Sequence, residues 1–333
     1  MLRLHPYRYH RPKELGEALE LLREHRGDSM PIAGGTDLMP NMKHGLYTPS
    51  HLVALKGVEE LCVIEERDGE FVIGAAETLT RVASDPLIKR RLPGLARAAE
   101  GIAHPMIRNI GTIGGNVCLD TRCTYYNQTY FWREALGFCL KKDGDVCYVV
   151  KGGSRCVAAH SADTPPMLMT LGATVDLATA DGARSVPLTK FFTADGIWNT
   201  VREPDELVIR VRVPVPSPRL RTCYQKVRER KSVDFPLLGI ALAVEIDDSH
   251  LIESISLVVA GLGAKPRVVG GLDKIAGGQR LTPDIIEEVA RRAHRQCNPL
   301  DNLIVDTDWR HAMVAVYVRR AFEEVLGQPL AAA

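Results

Sequence analysis

At 333 residues the chain is too long for one ordinary core, and roughly 150 residues per domain gives about two or three domains. Its 45% apolar and 25% charged residues are those of a globular protein. With 42 basic and 41 acidic side chains the net charge is +1 and no long run of one sign occurs, which argues against nucleic acid or an anionic membrane as partner.

The start has no apolar signal region, and the most apolar stretch, Leu237 to Ile246, falls far short of the roughly 20 residues that span a bilayer. The expected location is therefore the reducing cytoplasm, where structural disulfides are rare. The first segment reads strand, helix, strand. PKELGEALELLREH puts Leu15, Leu19 and Leu22 on one helical face, with Pro12 suited to the first turn. Ser29 to Ala33 is a short apolar strand ending in a glycine pair, and His51 to Leu55 is a second strand, so residues 1–55 form a small α/β unit.

From residue 56 the texture changes to hairpins. LCVIEERDGEFVIGA joins two alternating runs at Asp68-Gly69, and ATVDLATADGARSV repeats the device at Asp181-Gly182. Glu206 to Pro214 is a further strand, and PVPSPRL reads as a linker that ends a middle part, 56–216. The last part, 217–333, has three long strand candidates: Thr222 to Val227, Leu237 to Ile246 and Ile255 to Leu262. Two helices follow. One begins with Thr282 as cap and Pro283 at the first helical position; the other carries apolar residues at helical spacing from Trp309 to Leu326. The alanine-rich terminus is expected to fray.

Two loops are built to hold an anion against bare backbone. In PIAGGTDLMP these are Ala33, Gly34, Gly35, Thr36 and Asp37; in IRNIGTIGGNV they are Asn109, Gly111, Thr112, Gly114, Gly115 and Asn116. Glycine lets a ligand approach the main chain, and consecutive N–H groups form nests that bind phosphate without lysine. Neither loop is a dinucleotide-fold fingerprint or a P-loop. Each could also be no more than a tight turn.

A strand ending in AGGTDL, then TIGGNV, then ADTPPMLMTLGA, then a final helix beginning DWRHAM, resembles the flavin-binding subunits of the molybdenum hydroxylases over nearly the whole chain. The resemblance implies an α+β chain. FAD would lie between a small N-terminal α/β domain and a middle α+β domain of the vanillyl-alcohol-oxidase type, followed by a three-stranded antiparallel sheet with helices. It places the pyrophosphate on Ile32, Ala33, Gly34, Gly35, Thr36, Asp37 and Leu38 and on the turn Gly111 to Asn116. Asp163 matches the acid that holds sugar or ribityl hydroxyls, unless it only caps the helix before Pro165. Val208 and Ile209 fall near the isoalloxazine. Lys226 aligns with a lysine at the pyrimidine end, where a cation would stabilise anionic reduced flavin, unless it is a solvated strand residue.

Between GGN and the ADTPP helix lies an insertion, at about 120–160, with four of the eight cysteines: Cys123, Cys139, Cys147 and Cys156. The block is too polar to make a core, and the spacing C-x₁₅-C-x₇-C-x₈-C lacks the close pairs of a zinc ribbon. A [4Fe–4S] cluster also takes four thiolates, and spacing alone does not decide between the two metals. The block is similar to the insertion of the β subunits of 4-hydroxybenzoyl-CoA reductases, which implies a [4Fe–4S] cluster on those four residues. Cys118 would pack against the flavin turn, and Cys62, Cys223 and Cys297 would be buried thiols. Tyr125, Tyr126, Tyr130, Phe131 and Trp132 would shield the sulfurs or simply dock the insertion.

What the resemblance implies for function is an electron-transfer subunit, without substrate-binding or molybdenum residues of its own. Its partners would be a large molybdenum-cofactor subunit and a small subunit with two [2Fe–2S] clusters, in a dimer of heterotrimers. Reduced ferredoxin would supply electrons for removal of the phenolic hydroxyl of 4-hydroxybenzoyl-CoA. The alternatives are a conventional hydroxylase flavin subunit that passes electrons out to NAD, quinone or oxygen, and a zinc-stapled docking module. No hydrolytic triad or paired carboxylates are visible, and the ten histidines are scattered.

Overall fold

The computed structural model describes residues 2–327, so the alanine-rich terminus lies outside the described residues. Three sheets organise the chain, one after another along the sequence. The first has three parallel strands, β1 (Arg8–His10), β2 (Ser29–Ile32) and β3 (His51–Ala54), in the order β1-β3-β2. The helix Leu15–Glu24 buries Ala18, Leu19 and Leu22. It starts three residues beyond Pro12, and two carboxylates take amides at its start: Glu17 accepts from Lys13 N and Glu60 from Leu15 N, at 2.9 and 2.7 Å.

The second sheet is antiparallel, in the order β4-β5-β8-β6-β7, with β4 Ile64–Arg67, β5 Glu70–Gly74, β6 Thr174–Thr179, β7 Gly182–Pro187 and β8 Leu207–Pro214. Asp68 and Gly69 turn the first hairpin, with φ of 54° and 77°, the conformation a two-residue hairpin favours. The second hairpin closes one residue earlier than expected. Thr179 pairs with Gly182, so Ala180 and Asp181 make the turn and the glycine opens the strand. Phe71, Ile73, Val175, Leu177 and Val211 pack against Leu95, Ile113, Met167 and Leu168 from the covering helices.

The third sheet contains the expected strands, β9 (Leu220–Val227), β10 (Leu238–Ile246) and β11 (Ile252–Ala260), and a two-residue edge strand β12 (Arg267–Val268) makes it four-stranded. Leu238, Ile240, Leu242 and Val244 face a core closed by the helices Pro283–Gln296 and Thr307–Leu326. The alternate residues Ala241 and Ala243 join the core of the middle part. This period of two, apolar on both faces, is that of a strand covered on both sides. As expected, Thr282 caps its helix, its hydroxyl accepting from Ile285 N. No described helix is long and apolar enough to cross a membrane.

The insertion carries one short helix, Tyr130–Leu136. Its inward residue is Arg133, 1% exposed, which donates to the carbonyl oxygens of His44 and Gly45 and to Asp143. Because that guanidinium takes the buried face, Tyr130, Phe131 and Trp132 turn outward, at 50%, 79% and 39% exposure, and do not shield the cysteines.

Candidate functional site

A cavity of about 460 Å³ opens where the three parts of the chain meet, within the size range of small-molecule and cofactor sites. Ile32, Ala33, Gly34, Gly35, Thr36, Asp37 and Leu38 all line it, as do Gly111, Thr112, Gly114, Gly115, Asn116 and Cys118. The two glycine loops touch. A Cβ on Gly34 would lie 2.0 Å from the carbonyl oxygen of Ile110, so glycine there lets one loop rest on the other. Gly35 holds φ +67°, which L side chains rarely adopt. Thr112 Oγ1 accepts from Gly115 N at 3.1 Å, and Asn116 Oδ1 accepts from both the amide and the hydroxyl of Thr164.

Two of the expected residues lie elsewhere. Asn109 is outside the cavity wall, where its Oδ1 accepts from the Thr80 hydroxyl at 2.7 Å. Val208 lines the cavity, but Ile209 points to the other face of β8 and packs with Leu207, Val53 and Leu61.

Asp163 stands at the start of the helix Thr164–Thr170 without capping it. Its carboxylate instead accepts from Tyr224 Oη at 2.8 Å and Lys226 Nζ at 2.9 Å. Lys226 is not a solvated strand residue. It is buried on the cavity wall and also donates to Gly101 O at 3.1 Å. Burial pushes the Asp163 carboxyl up and the Lys226 ammonium down, and their mutual attraction opposes both shifts.

Sequence reading missed two cations. Arg122 pairs with the Asp37 carboxylate and lies 4.5 Å from the centroid of the Phe235 ring. Arg202 donates to Glu206 O at 2.7 Å. Both line the cavity, and each has a buried Nε with no hydrogen-bond partner. Two orphaned guanidinium donors beside a nest of backbone amides suit an anionic ligand such as a diphosphate. No motif marks either arginine, because each comes from a segment irregular in sequence.

Cys123, Cys139, Cys147 and Cys156 all line a second, smaller cavity, together with Tyr125, Tyr126 and Lys141. Burial pushes the Cys123 thiol up to about 11 and raises that of Cys156. Two sulfurs accept backbone amides, Cys147 from Val150 N and Cys156 from Ala158 N, each at 3.5 Å. No three of the four sulfurs lie within 4.8 Å of one another. A tetrahedral zinc with Zn–S of about 2.3 Å would draw them to about 3.8 Å. Of the remaining cysteines, Cys118 lines the larger cavity, Cys223 and Cys297 are buried, and Cys62 is exposed rather than buried.

Residues 5–216 match the family model described as the FAD binding domain in molybdopterin dehydrogenase, and 222–325 match the CO dehydrogenase flavoprotein C-terminal domain. The chain is 29% identical over 316 residues to the carbon monoxide dehydrogenase medium chain of Hydrogenophaga pseudoflava, covering 95% of each. It is 32% identical over 251 residues to an aldehyde oxidoreductase FAD-binding subunit of Escherichia coli, covering 71% of this chain and 75% of that one. A solved carbon monoxide dehydrogenase chain from Hydrogenophaga pseudoflava superposes with a TM-score of 0.81 at 26% identity, over 98% of this chain and 99% of that one.

Proposed function

This chain belongs to the FAD-binding subunits of the molybdenum hydroxylases, and from that premise we propose that it is an electron-transfer subunit carrying FAD and a [4Fe–4S] cluster, of the 4-hydroxybenzoyl-CoA reductase type. The observation that carries the cluster is the small cavity that all four thiols line. Amide donors to Cys147 and Cys156 add the hydrogen bonds to sulfur that tune such centres.

The flavin would lie in the larger cavity, its diphosphate against Ala33 to Leu38 and Gly111 to Asn116, with Arg122 and Arg202 supplying positive charge. Asp163 would accept from a ligand hydroxyl while holding Lys226, and Lys226 would present its ammonium to the pyrimidine end. Val208 supplies an apolar wall. FAD and the cluster, when bound, supply the redox chemistry that this chain's own side chains lack. The chain's work is to hold both, to exclude water from the thiols, and to keep the charged groups between them paired.

A large molybdenum subunit and a small subunit with two [2Fe–2S] clusters complete the assembly, as a dimer of heterotrimers, and reduced ferredoxin is the donor. The dehydroxylation of 4-hydroxybenzoyl-CoA takes place on the molybdenum subunit. Iron and acid-labile sulfide counts on this subunit, with anaerobic EPR of the reduced complex, test the reading. About four iron and four sulfide per chain with one FAD are expected; zinc without iron refutes it.

The likeness to carbon monoxide dehydrogenase medium chains favours a second reading, a conventional hydroxylase that passes electrons outward. Reduction of NAD, quinone or oxygen by the complex, without reaction with ferredoxin or viologen, would select that reading.

A further inference from the structure

A largely buried ion pair links the walls of the two cavities. Asp120 lines the larger one and Lys141 the thiol cavity, and Lys141 Nζ donates to Asp120 Oδ1 at 2.6 Å. Their side chains are 13% and 3% exposed. The ammonium also donates to Thr121 Oγ1 at 2.6 Å and lies 4.2 Å from the centroid of the Tyr126 ring. Asp120 Oδ2 accepts from two tyrosines, one on each wall: Tyr47 on the larger cavity at 2.6 Å and Tyr126 on the thiol cavity at 3.0 Å. Burial beside Asp120 keeps both hydroxyls protonated and therefore donating. A charge pair so enclosed acts at short range with little screening by water.

We propose that the Asp120–Lys141 pair is an electrostatic link that sets the potentials of the two cofactors relative to each other. The cation faces the site that gathers four thiolates, and the anion faces the flavin. A centre held by four thiolates becomes more negative on reduction, so a neighbouring cation raises its potential; an anion beside the flavin lowers that of the flavin. Both residues tune and position, and neither touches substrate. The inference rests on the cluster reading given above.

The test is a reductive titration of the intact, loaded complex, read by flavin absorbance and by the EPR of the cluster. Asp120→Asn should raise both midpoint potentials, and Lys141→Met should lower that of the cluster. The double variant should return the cluster toward wild type. Opposite signs are what charge requires, whereas a loosened fold would shift both single variants the same way. Shifts of equal sign, or none, in variants that keep FAD and iron overturn the link alone. A wild-type complex without iron overturns the cluster reading and the link with it. Should Lys141→Met fail to accumulate, Lys141→Gln keeps a donor to Asp120 and carries the same expected sign.

A second site stands on a separate observation. The fold gathers three of the histidines that look scattered in sequence. His10 at the end of β1, His25 beyond the helix Leu15–Glu24 and His51 at the start of β3 have ligand nitrogens all within 4.8 Å of one another. His10 Nε2 and His51 Nδ1 lie 2.9 Å apart, and the His25 and His51 rings stack with centroids at 3.6 Å. A tetrahedral ion with metal–nitrogen distances of about 2.0 to 2.1 Å spaces its imidazole nitrogens by about 3.4 Å, so the stacked rings would have to turn out of their stack for their in-plane lone pairs to converge on it. We infer a three-histidine site for a borderline divalent ion of the zinc class, with one position open. Such an ion would pin helix to sheet. Zn²⁺ calorimetry on the cluster-loaded complex, whose thiols are occupied, should show one site per chain that His25→Gln and His51→Gln each weaken at least about tenfold. Equal binding by wild type and both variants, or none by wild type, overturns it.

Discussion

Asp163 and Lys226, 63 residues apart in sequence, meet as a buried ion pair at 2.9 Å on the wall of the larger cavity. One stands at the start of a helix of the middle part and the other on β9 of the last part, so the pair ties two parts of the chain at the site itself. Tyr224, two residues from Lys226 and on the same face of the strand, donates to the same carboxylate.

Removing one partner of a buried pair strands the other, at a cost of about 3 kcal/mol. In Lys226→Met the Asp163 carboxyl, already raised by burial, loses the cation that opposed the shift. The folded state then holds a proton that the unfolded state releases above its ordinary carboxylate value of about 3.9. Stability of the variant should therefore fall relative to wild type as pH rises from about 4 toward 7, by at most about 1.4 kcal/mol per unit. Urea midpoints across that range are the measurement, and a flat difference would show the pair to be uncoupled from protonation.

The glycines of the two loops separate into those the protein needs and one that serves the ligand. A Cβ on Gly34 would meet the backbone of Ile110, and one on Gly35 would sit at φ +67°, so substitutions at either disturb the fold itself. At Gly115 a Cβ meets only Thr112 Oγ1, at 3.1 Å, while the residue still lines the cavity. Gly115→Val should yield folded, flavin-poor protein, with FAD occupancy at least about tenfold down. Gly34→Val should lower the melting temperature as well. Full occupancy in Gly115→Val would move the diphosphate away from that turn.

Cys139 is the most buried thiol of the insertion for which a neighbouring amide supplies no sulfur-directed hydrogen bond, and it packs against Leu46 and Tyr126. Cys139→Ser should remove the broad visible iron–sulfur absorbance while FAD stays bound, because no residue lines both cavities. Iron analysis and the flavin spectrum of the same sample check it. Loss of both cofactors together would mean that the insertion supports the flavin cavity mechanically.

Local rules made much of this architecture legible. Alternation marked the strands, Asp68-Gly69 marked its hairpin, and Thr282-Pro283 marked a helix start, because each is decided within a few residues. The two glycine loops were also readable, since bare backbone is itself the signal. Long-range partners were not. Nothing near Asp163 announces that its carboxylate turns to β9 instead of capping its helix, and nothing near Arg122 places it opposite Asp37. The aromatic run Tyr130 to Trp132 misled because a buried arginine, Arg133, took the inward face that apolar side chains usually occupy. Ile209 misled by one residue, as any strand neighbour of a lining residue can.

His160 is 1% exposed, edge-on to Phe192, and neither ring nitrogen has a partner. Burial pushes its pKa down from 6.5 to about 3. The unfolded chain therefore binds a proton below about pH 6.5 that the folded chain refuses, so stability is complete above that value and lost as pH falls toward 3. By pH 5 the loss amounts to about 2 kcal/mol from this residue alone. His160→Leu keeps the apolar contact with Phe192 and removes the proton site. The variant should lose less stability than wild type between pH 7.5 and pH 5, and equal acid sensitivity in the two proteins would show that His160 is not the group responsible.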